Sequence, residues 1–242
     1  MIRKTAIGPV LAMAAAVFVV APVESKTPNT PPGNPCAKSN GNLCNGNNGN
    51  SGAQGNAGGK GQPQEPEPFV IARPSANRGA FIAQIGDAHQ ATITQSAPQQ
   101  FARIDQAGSR NRASVAQDGG GSHYARSVQT GTGNYLDLRQ SGDAVQVSLT
   151  EQSGHDNRMV VRQNAGQVAD GVLAIQTGSA NLLDLTQTGG GNQAMITQDG
   201  QSNTAMVAQN GGNLLSLTQT GNNLAIAIDQ PAGQAISISQ SR

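Results

Sequence analysis

The sequence predicts an all-β protein in which about seven copies of a strand–turn–strand unit stack into a β-solenoid. Three observations support this prediction. Glutamine recurs at a nearly constant interval between residues 84 and 240. Aliphatic and polar residues alternate before each of these glutamines, as they do in a strand. Glycine and asparagine recur between the alternating stretches, where the chain has to turn.

The glutamine interval sets the length of the unit. The successive steps are 11, 11, 11, 12, 11, 12, 11, 13, 11, 11, 11, 10, 11 and 10 residues. Every second interval is better formed, so the unit is about 22 residues long, within the range of repeat proteins. The intervals Gln117 to Gln129 and Gln163 to Gln176 are irregular and should contain enlarged turns. The units start near Gln84, Gln106, Gln129, Gln152, Gln176, Gln198 and Gln219.

The alternation predicts which way the glutamines point. Ile226 and Ile228 precede Gln230 at steps of two, with Ala227 and Asp229 on the opposite face. The glutamine therefore shares the inward face of the aliphatic residues. A helix is excluded, because each interior glycine would cost it about 1 kcal/mol. Two short strands cannot bury a face alone, but stacking at about 4.8 Å gives each strand a neighbour above and below.

Stacked units place identical side chains above one another. A buried amide is costly without a hydrogen-bond partner, and the same amide in the next unit can supply one. We therefore expect inward glutamines and asparagines to form ladders that carry assembly, with glycines at the turns. The ladder candidates are Gln84, Gln95, Gln106, Asn111, Gln117, Gln129, Asn134, Gln140, Gln152, Asn157, Gln163, Gln176, Asn181, Gln187, Asn192, Gln198, Asn203, Gln209, Gln219, Gln230 and Gln240. The turn glycines are Gly86, Gly108, Gly131, Gly154, Gly178, Gly200 and Gly221.

The N-terminal third has a different composition. Residues 1–25 combine Arg3 and Lys4 with a short apolar stretch, which indicates a secretory signal peptide and hence a secreted protein. Residues 26–79 are rich in Pro, Gly and Asn and are predicted to be a disordered segment before the repeat domain at 80–242. Cys36 and Cys44 could form a disulfide in an oxidising compartment.

Composition argues against several functions. A net charge of +1 gives no electrostatic reason to bind nucleic acid. No paired carboxylates or nucleophile–base pattern predicts an enzyme, and no cofactor or metal motif is present. His89, His123 and His155 lie near turns and are interpreted as solvated loop residues. A flat threonine array that could bind ice or another surface is interrupted by Ala116, Arg139, Arg162 and Ala208.

Residues 80–242 resemble the curlin repeats of secreted curli amyloid subunits, whose repeat is Q-x-G-x-x-N-x-A-x-x-x-Q. The unit from Gln106 to Gln117 fits at every motif position, as does the unit from Gln198 to Gln209. Other units replace the alanine by Leu136, Met159 or Leu183. The first unit has His89 in place of the asparagine, and the last has Leu224 there.

The resemblance implies a function, partners and a location. It implies a secreted subunit that self-assembles into extracellular, pilus-like amyloid fibres for biofilm matrix, adhesion and aggregation. It also implies a companion fibre subunit, an outer-membrane export pore and a periplasmic chaperone. The alternatives are a minor nucleator subunit of such fibres and a non-polymerising secreted β-solenoid that binds a surface.

Overall fold

The computed structural model describes residues 21–22, 69–75 and 78–242. Every regular element in this part of the chain is a strand. Residues 78–242 wind as a β-solenoid, in which successive strands alternate between two sheets and pair in parallel with the strands of the neighbouring turns. The predicted fold class, an all-β solenoid of about seven turns, is confirmed. No helix in the described residues is long and apolar enough to span a membrane.

Seventeen strands are present in the described residues, numbered in chain order. Two short ones, β1 (Ala21–Pro22) and β2 (Phe69–Val70), pair antiparallel outside the solenoid. The first sheet contains β3 (Gly79–Asp87), β5 (Phe101–Ser109), β7 (Tyr124–Thr132), β9 (Gln146–His155), β11 (Asp170–Ser179), β13 (Gln193–Gln201), β15 (Leu214–Asn222) and β17 (Ala235–Ser241). The second sheet contains β4 (Gln90–Gln95), β6 (Arg112–Asp118), β8 (Tyr135–Ser141), β10 (Arg158–Asn164), β12 (Leu182–Thr188), β14 (Thr204–Asn210) and β16 (Ala225–Gln230).

Within each sheet the strands follow chain order, so a rung of the solenoid is one strand from each sheet. The parallel register places each glutamine beside the glutamine of the next rung, as in Gln176 beside Gln198 and Gln198 beside Gln219. A slip of one residue would turn the aliphatic side chains of a strand outward. The glutamine interval found in the sequence is therefore the register of the two sheets.

Two kinds of turn connect the strands. The first turn, from the first sheet to the second, has two residues in every rung, and its first residue has a positive φ. The first turns are residues 88–89, 110–111, 133–134, 156–157, 180–181, 202–203 and 223–224. The second turn, back to the first sheet, ranges from residues 211–213 to residues 165–169. The two irregular glutamine intervals are accommodated in second turns, at residues 119–123 and 165–169.

The core is a thin apolar layer between the sheets. It consists of side chains that alternate with outward residues along each strand, as in Ala194 and Ile196 on β13. Two central rungs depart from this pattern with inward hydroxyls. Ser127 is fully buried and accepts a hydrogen bond from Thr150 Oγ1 at 2.9 Å, while the buried Ser148 Oγ has no partner among the described residues.

An extended segment lies across the outer face of the first sheet. We call residues 69–75 the N-terminal strap. Ile71 is buried, and its backbone N–H donates to Gln193 Oε1 at 2.9 Å. Gly171 leaves the space that Ile71 fills, because a Cβ there would lie 2.8 Å from Ile71 Cβ. The guanidinium carbon of Arg73 lies 5.9 Å from the centre of the Tyr124 ring.

The strap corrects one predicted boundary. Residues 69–75 were expected inside the disordered segment 26–79, but they pack on the sheet because Phe69 and Ile71 add to an apolar cluster on its outer face. The rest of the prediction for residues 26–79, with Cys36 and Cys44, lies outside the described residues except for 78–79. The predicted signal peptide, 1–25, also lies outside them apart from the two residues of β1.

Candidate functional site: the amide ladders

Two glutamine ladders run along the solenoid, one in each sheet. In the first sheet each Nε2 donates to Oε1 of the next rung at 2.7–2.8 Å, from Gln84 to Gln240. In the second sheet the same bonds measure 2.8–3.0 Å, from Gln95 to Gln230. Gln84 is exposed and Gln95 and Gln240 are half-buried, while the other predicted ladder glutamines are buried.

A second hydrogen bond fixes the orientation of most ladder glutamines. The other N–H of the amide donates to a backbone carbonyl across the core, as from Gln198 Nε2 to Leu182 O at 3.0 Å. Gln187 Nε2 bonds Gly171 O at 3.2 Å in the same way. Because both N–H groups are occupied, a buried amide incurs little desolvation cost. All bonds of the two glutamine ladders point from the earlier rung to the later one, so the two ends of the solenoid differ chemically.

An asparagine ladder occupies the first turn. Asn157 Nδ2 donates to Asn134 Oδ1 at 3.1 Å, to Ser153 O at 3.3 Å and to Gly178 O at 3.0 Å. Its own Oδ1 accepts the backbone N–H of Asn181 at 3.1 Å. The asparagine therefore closes its own turn and ties that turn to both neighbouring rungs. The members of this ladder, all fully buried, are Asn111, Asn134, Asn157, Asn181 and Asn203.

The two motif departures lie at the ends of this ladder. His89 takes the asparagine position in the first rung, and its Nδ1 accepts the Asn111 backbone N–H at 3.3 Å. In the last rung Leu224 donates its backbone N–H to Asn203 Oδ1 at 3.0 Å but has no side-chain amide that could extend the ladder. The interpretation of His89 as a solvated loop residue is thus wrong, because the ring replaces an amide oxygen in the turn.

The glycines predicted to lie in turns lie instead near the ends of the first-sheet strands, where they form a column beside the asparagine ladder. A Cβ on Gly154 would lie 2.0 Å from the Gly178 carbonyl oxygen, and the other glycines of the column are equally close to the next rung. The Gly178 oxygen also accepts the hydrogen bond from Asn157 Nδ2. Glycine and asparagine therefore act together. Because glycine has no side chain, the carbonyl of the next rung can approach closely, and the asparagine amide donates a hydrogen bond to that carbonyl.

A further polar column lies where each second turn meets the first-sheet strand that follows it. We call it the second-turn column. It includes Asn192, which was predicted as a ladder residue but lies in this column and not beside Asn181. Asn213 Nδ2 donates to Asn192 Oδ1 at 3.2 Å, and Asn192 donates its backbone N–H to Asp170 Oδ1 at 2.8 Å. The members of the column are Gln100, His123, Gln146, Asp170, Asn192, Asn213 and Gln234.

His123 also departs from the sequence interpretation. It was expected to be solvated, but it is fully buried in the second-turn column, with Nε2 3.0 Å from Asp118 O. Burial lowers the pKa of the imidazole, against the opposing effect of backbone carbonyls at Asp118 and Gly142. His123 is therefore neutral near pH 7. His155, by contrast, is exposed, as expected.

Three ion pairs lie on the outer faces. Arg103 pairs with Asp105 at 2.8 Å, Arg139 with Asp137 at 3.4 Å, and Arg162 with Asp184 at 3.0 Å. These pairs are partly exposed, so each contributes little to stability. In the described part of the chain, no group of three His, Cys, Asp or Glu side chains is placed to hold a metal ion.

Comparison with known proteins identifies the repeat. The model of the family described as curlin associated repeat matches residues 86–119 and 178–211. The first match contains the stretch from Gln106 to Gln117 and the second contains that from Gln198 to Gln209, both of which fit the motif at every position. The chain carries curlin associated repeats. No curated protein matches the chain. The curlin-repeat solenoid fits a structural, curli-like subunit, and the family as a class suggests self-assembly and secretion.

The sequence indicated the glutamine and first-turn ladders but missed most of the second-turn column. Asp170 and Asn213 are buried there, and neither was singled out. A signal did exist, since each column member lies six residues before the first-sheet ladder glutamine of its rung. The spacing from the preceding second-sheet glutamine varies with the length of the second turn, and the residue type changes from rung to rung.

Proposed function

We propose that this chain is a structural subunit of a secreted fibre and that copies stack end to end through their terminal rungs. The main support is the open edge at each end: β3 and β4 have a neighbouring strand on one side only, as do β16 and β17. An unpaired strand edge is a template for another chain.

The ladders give the two edges complementary chemistry. At one end Gln84 and Gln95 donate to the next rung, and their Oε1 atoms are the first acceptors of the two ladders. At the other end Gln230 and Gln240 accept from the previous rung, and their amides are the last in line. A second copy stacked in the same direction would extend both ladders. Such head-to-tail contacts do not close, so they generate a filament.

The first rung also exposes apolar side chains. Ile82 and Ile85 on β3 are 47% and 54% exposed, although Ile104 and Ala107, stacked below them on β5, are better buried. The strap lies on the face of the sheet and leaves this edge open. Burial of Ile82 under an incoming rung would contribute to association in proportion to the area removed from water.

The setting of the fibre follows from the repeat family and the predicted signal peptide. We propose that the mature chain is exported through an outer-membrane pore with the help of a periplasmic chaperone. We also propose that it joins a companion subunit at the cell surface, where the fibre serves adhesion and biofilm matrix. These partners are part of the proposal and rest on the curlin associated repeat alone.

Fibre growth of residues 26–242 tests the proposal. We expect thioflavin fluorescence to rise after a lag, and fibre diffraction to give reflections near 4.8 Å and about 10 Å. A chain that stays monomeric for days at micromolar concentration would contradict it.

Single variants in the same experiment test the role of the ladders. Gln198→Ala leaves the amides of Gln176 and Gln219 without their partner, at about 1–3 kcal/mol per unsatisfied buried group. The neighbouring outward Thr197→Ala should cost a few tenths. The same comparison applies to Asn203→Ala against Thr204→Ala. We expect slower elongation for the inward variants only. Equal rates for the two classes would contradict the ladder role.

A further inference from the structure

The second-turn column changes character at Asp170. Below it, Asn192 and Asn213 repeat the bonding of an amide ladder, in which each side chain accepts with its oxygen and donates with its nitrogen. Above it, the pattern fails. Asp170 Oδ2 is buried without a hydrogen-bond partner in the described structure, and so is Gln146 Oε1 on the next rung. Two acceptor oxygens thus remain unpaired in adjacent members of one column.

The amide of Gln146 cannot resolve this by rotation. Its Nε2 is held in a close hydrogen bond to Ser141 O, so its oxygen is left for the rest of the column. His123, one rung further, does not supply the donor either, because its Nε2 lies 3.0 Å from Asp118 O and its Nδ1 has no hydrogen-bond partner in the described structure. The missing component is one hydrogen-bond donor between Gln146 and Asp170.

A carboxylic acid can supply this donor and a carboxylate cannot. A protonated carboxyl group offers one acceptor oxygen and one O–H donor, which is the same pattern that an amide offers to a ladder. The carboxylate has acceptors only. We propose that Asp170 is a proton-binding site of the folded protein, in which Oδ1 accepts from Asn192 and Oδ2–H donates toward Gln146 Oε1.

The surroundings of Asp170 favour the neutral acid. Asp170 is 1% exposed, and burial raises the pKa of its carboxyl group, against hydrogen bonds from Asn192 and Gly191 that lower it. In the described structure no cationic side chain forms an ion pair with Asp170, and Arg73 on the strap that packs over Gly171 lies by the Tyr124 ring. The charged residues on adjacent elements are all exposed or outward-facing. On the same side of the core these are Asp143 in the turn above, Glu151 on β9 and Asp199 on β13. Across the core they are Arg158 and Arg162 on β10 and Asp184 on β12. Along the column the nearest titratable group is His123, which is neutral near pH 7 because burial lowers its pKa.

The proton couples folding to pH with a definite sign. The folded state binds the proton more tightly than the unfolded chain, whose aspartate has the ordinary pKa of 3.8. The stabilisation is therefore complete below pH 3.8 and is lost as the pH rises through the raised pKa of the folded state. Asp170 thus makes the solenoid relatively more stable in acid, opposite to the usual effect of a paired carboxylate.

Urea unfolding of the full chain and of Asp170→Asn across the pH range tests the site. Asparagine mimics the protonated acid at every pH and matches the residues already present at 192 and 213. We expect equal urea midpoints for the two proteins at low pH and a higher midpoint for Asp170→Asn near neutral pH. A midpoint difference that does not change with pH would overturn the proposal.

Infrared spectroscopy gives a second readout that does not depend on fibre growth. The carbonyl stretch of a protonated carboxylic acid should persist in the folded monomer at about pH 6, where exposed Asp and Glu side chains are ionised, and should be absent in Asp170→Asn. The matched control is Asp184→Asn, an outward aspartate paired with Arg162, which should leave the band intact. If the band is missing and added Na⁺ or Ca²⁺ raises the wild-type midpoint but not that of Asp170→Asn, the site binds a cation and the proton-site proposal is wrong.

Discussion

At the residue scale, Ser148 and Thr150 separate two effects of a buried hydroxyl. Both point inward from β9 and are almost fully buried, but only Thr150 has a hydrogen bond, to Ser127 Oγ. We expect Ser148→Ala to raise the free energy of unfolding by about 1 kcal/mol, because it removes an unsatisfied group between Ala125 and Val172.

Substitution of Thr150, the hydroxyl that does have a hydrogen bond, should have the opposite effect on the free energy of unfolding. Thr150→Ala leaves the Ser127 hydroxyl unpaired and should lower the free energy of unfolding by about 1–3 kcal/mol. Urea titration of freshly prepared monomer measures both changes. If both variants destabilise the protein equally, the hydrogen bond is not what distinguishes the two sites.

Some of the buried polar side chains could be predicted from the sequence and others could not. The inward glutamines were predictable because they share the strand parity of the aliphatic residues, and one residue type repeats through all the rungs. The second-turn column was not, because its members are glutamine, histidine, aspartate and asparagine. A buried His123 or Asp170 looks like an ordinary loop residue until the stacking shows its neighbours.

At the element scale, the two turns have different roles: the first keeps a constant length and the second varies in length. The first turn has the same length in every rung, because the asparagine ladder and the glycine column bind each rung to the next through backbone groups. The second turn has no glycine column that runs through every rung, because Ala165 follows Gly119 and Gly142 in the stack, and it absorbs every change in length. This explains why the irregular glutamine intervals are all those from the second sheet to the first.

Two glycine substitutions test this division. Gly154→Ala places a methyl group 2.0 Å from the Gly178 oxygen, at a residue whose φ is +116°. We expect a loss of about 3 kcal/mol or more in the free energy of unfolding. Gly166→Ala in a second turn meets no atom within 4 Å and should change stability by less than about 0.5 kcal/mol. Urea unfolding of both variants is the measurement, and similar losses would contradict the division.

At the scale of the whole molecule, the path of the N-terminal segment matters as much as the repeat. The sequence predicted the solenoid because its period is strict, but the strap depends on contacts that no local pattern shows. Ile71 reaches Gln193, 122 positions away along the chain, and fits over the gap at Gly171. The strap itself lies on the face of the sheet and not along the edge of β3.

The last prediction concerns that edge. Ile82 points inward in the first rung, in the column that contains Ile104 below it and ends at Ile238 in β17. A copy stacking in register would place its Ile238 over Ile82. Ile82→Lys puts an ammonium group where this apolar contact must form, at the cost of burying an unpaired charge. The monomer should still fold, since Ile82 is 47% exposed.

Growth from wild-type seeds measures the effect. A variant molecule can add through its unaltered β16 and β17 edges but then presents the lysine, so substoichiometric Ile82→Lys should stop elongation at one fibre end. Ala83→Lys is the matched control, because its side chain lies on the outward face of the same edge strand, in the column of Asp105. It should slow growth only slightly, and less at high salt. If the two lysine variants inhibit alike, or if neither does, the β3 edge is not where an incoming copy stacks.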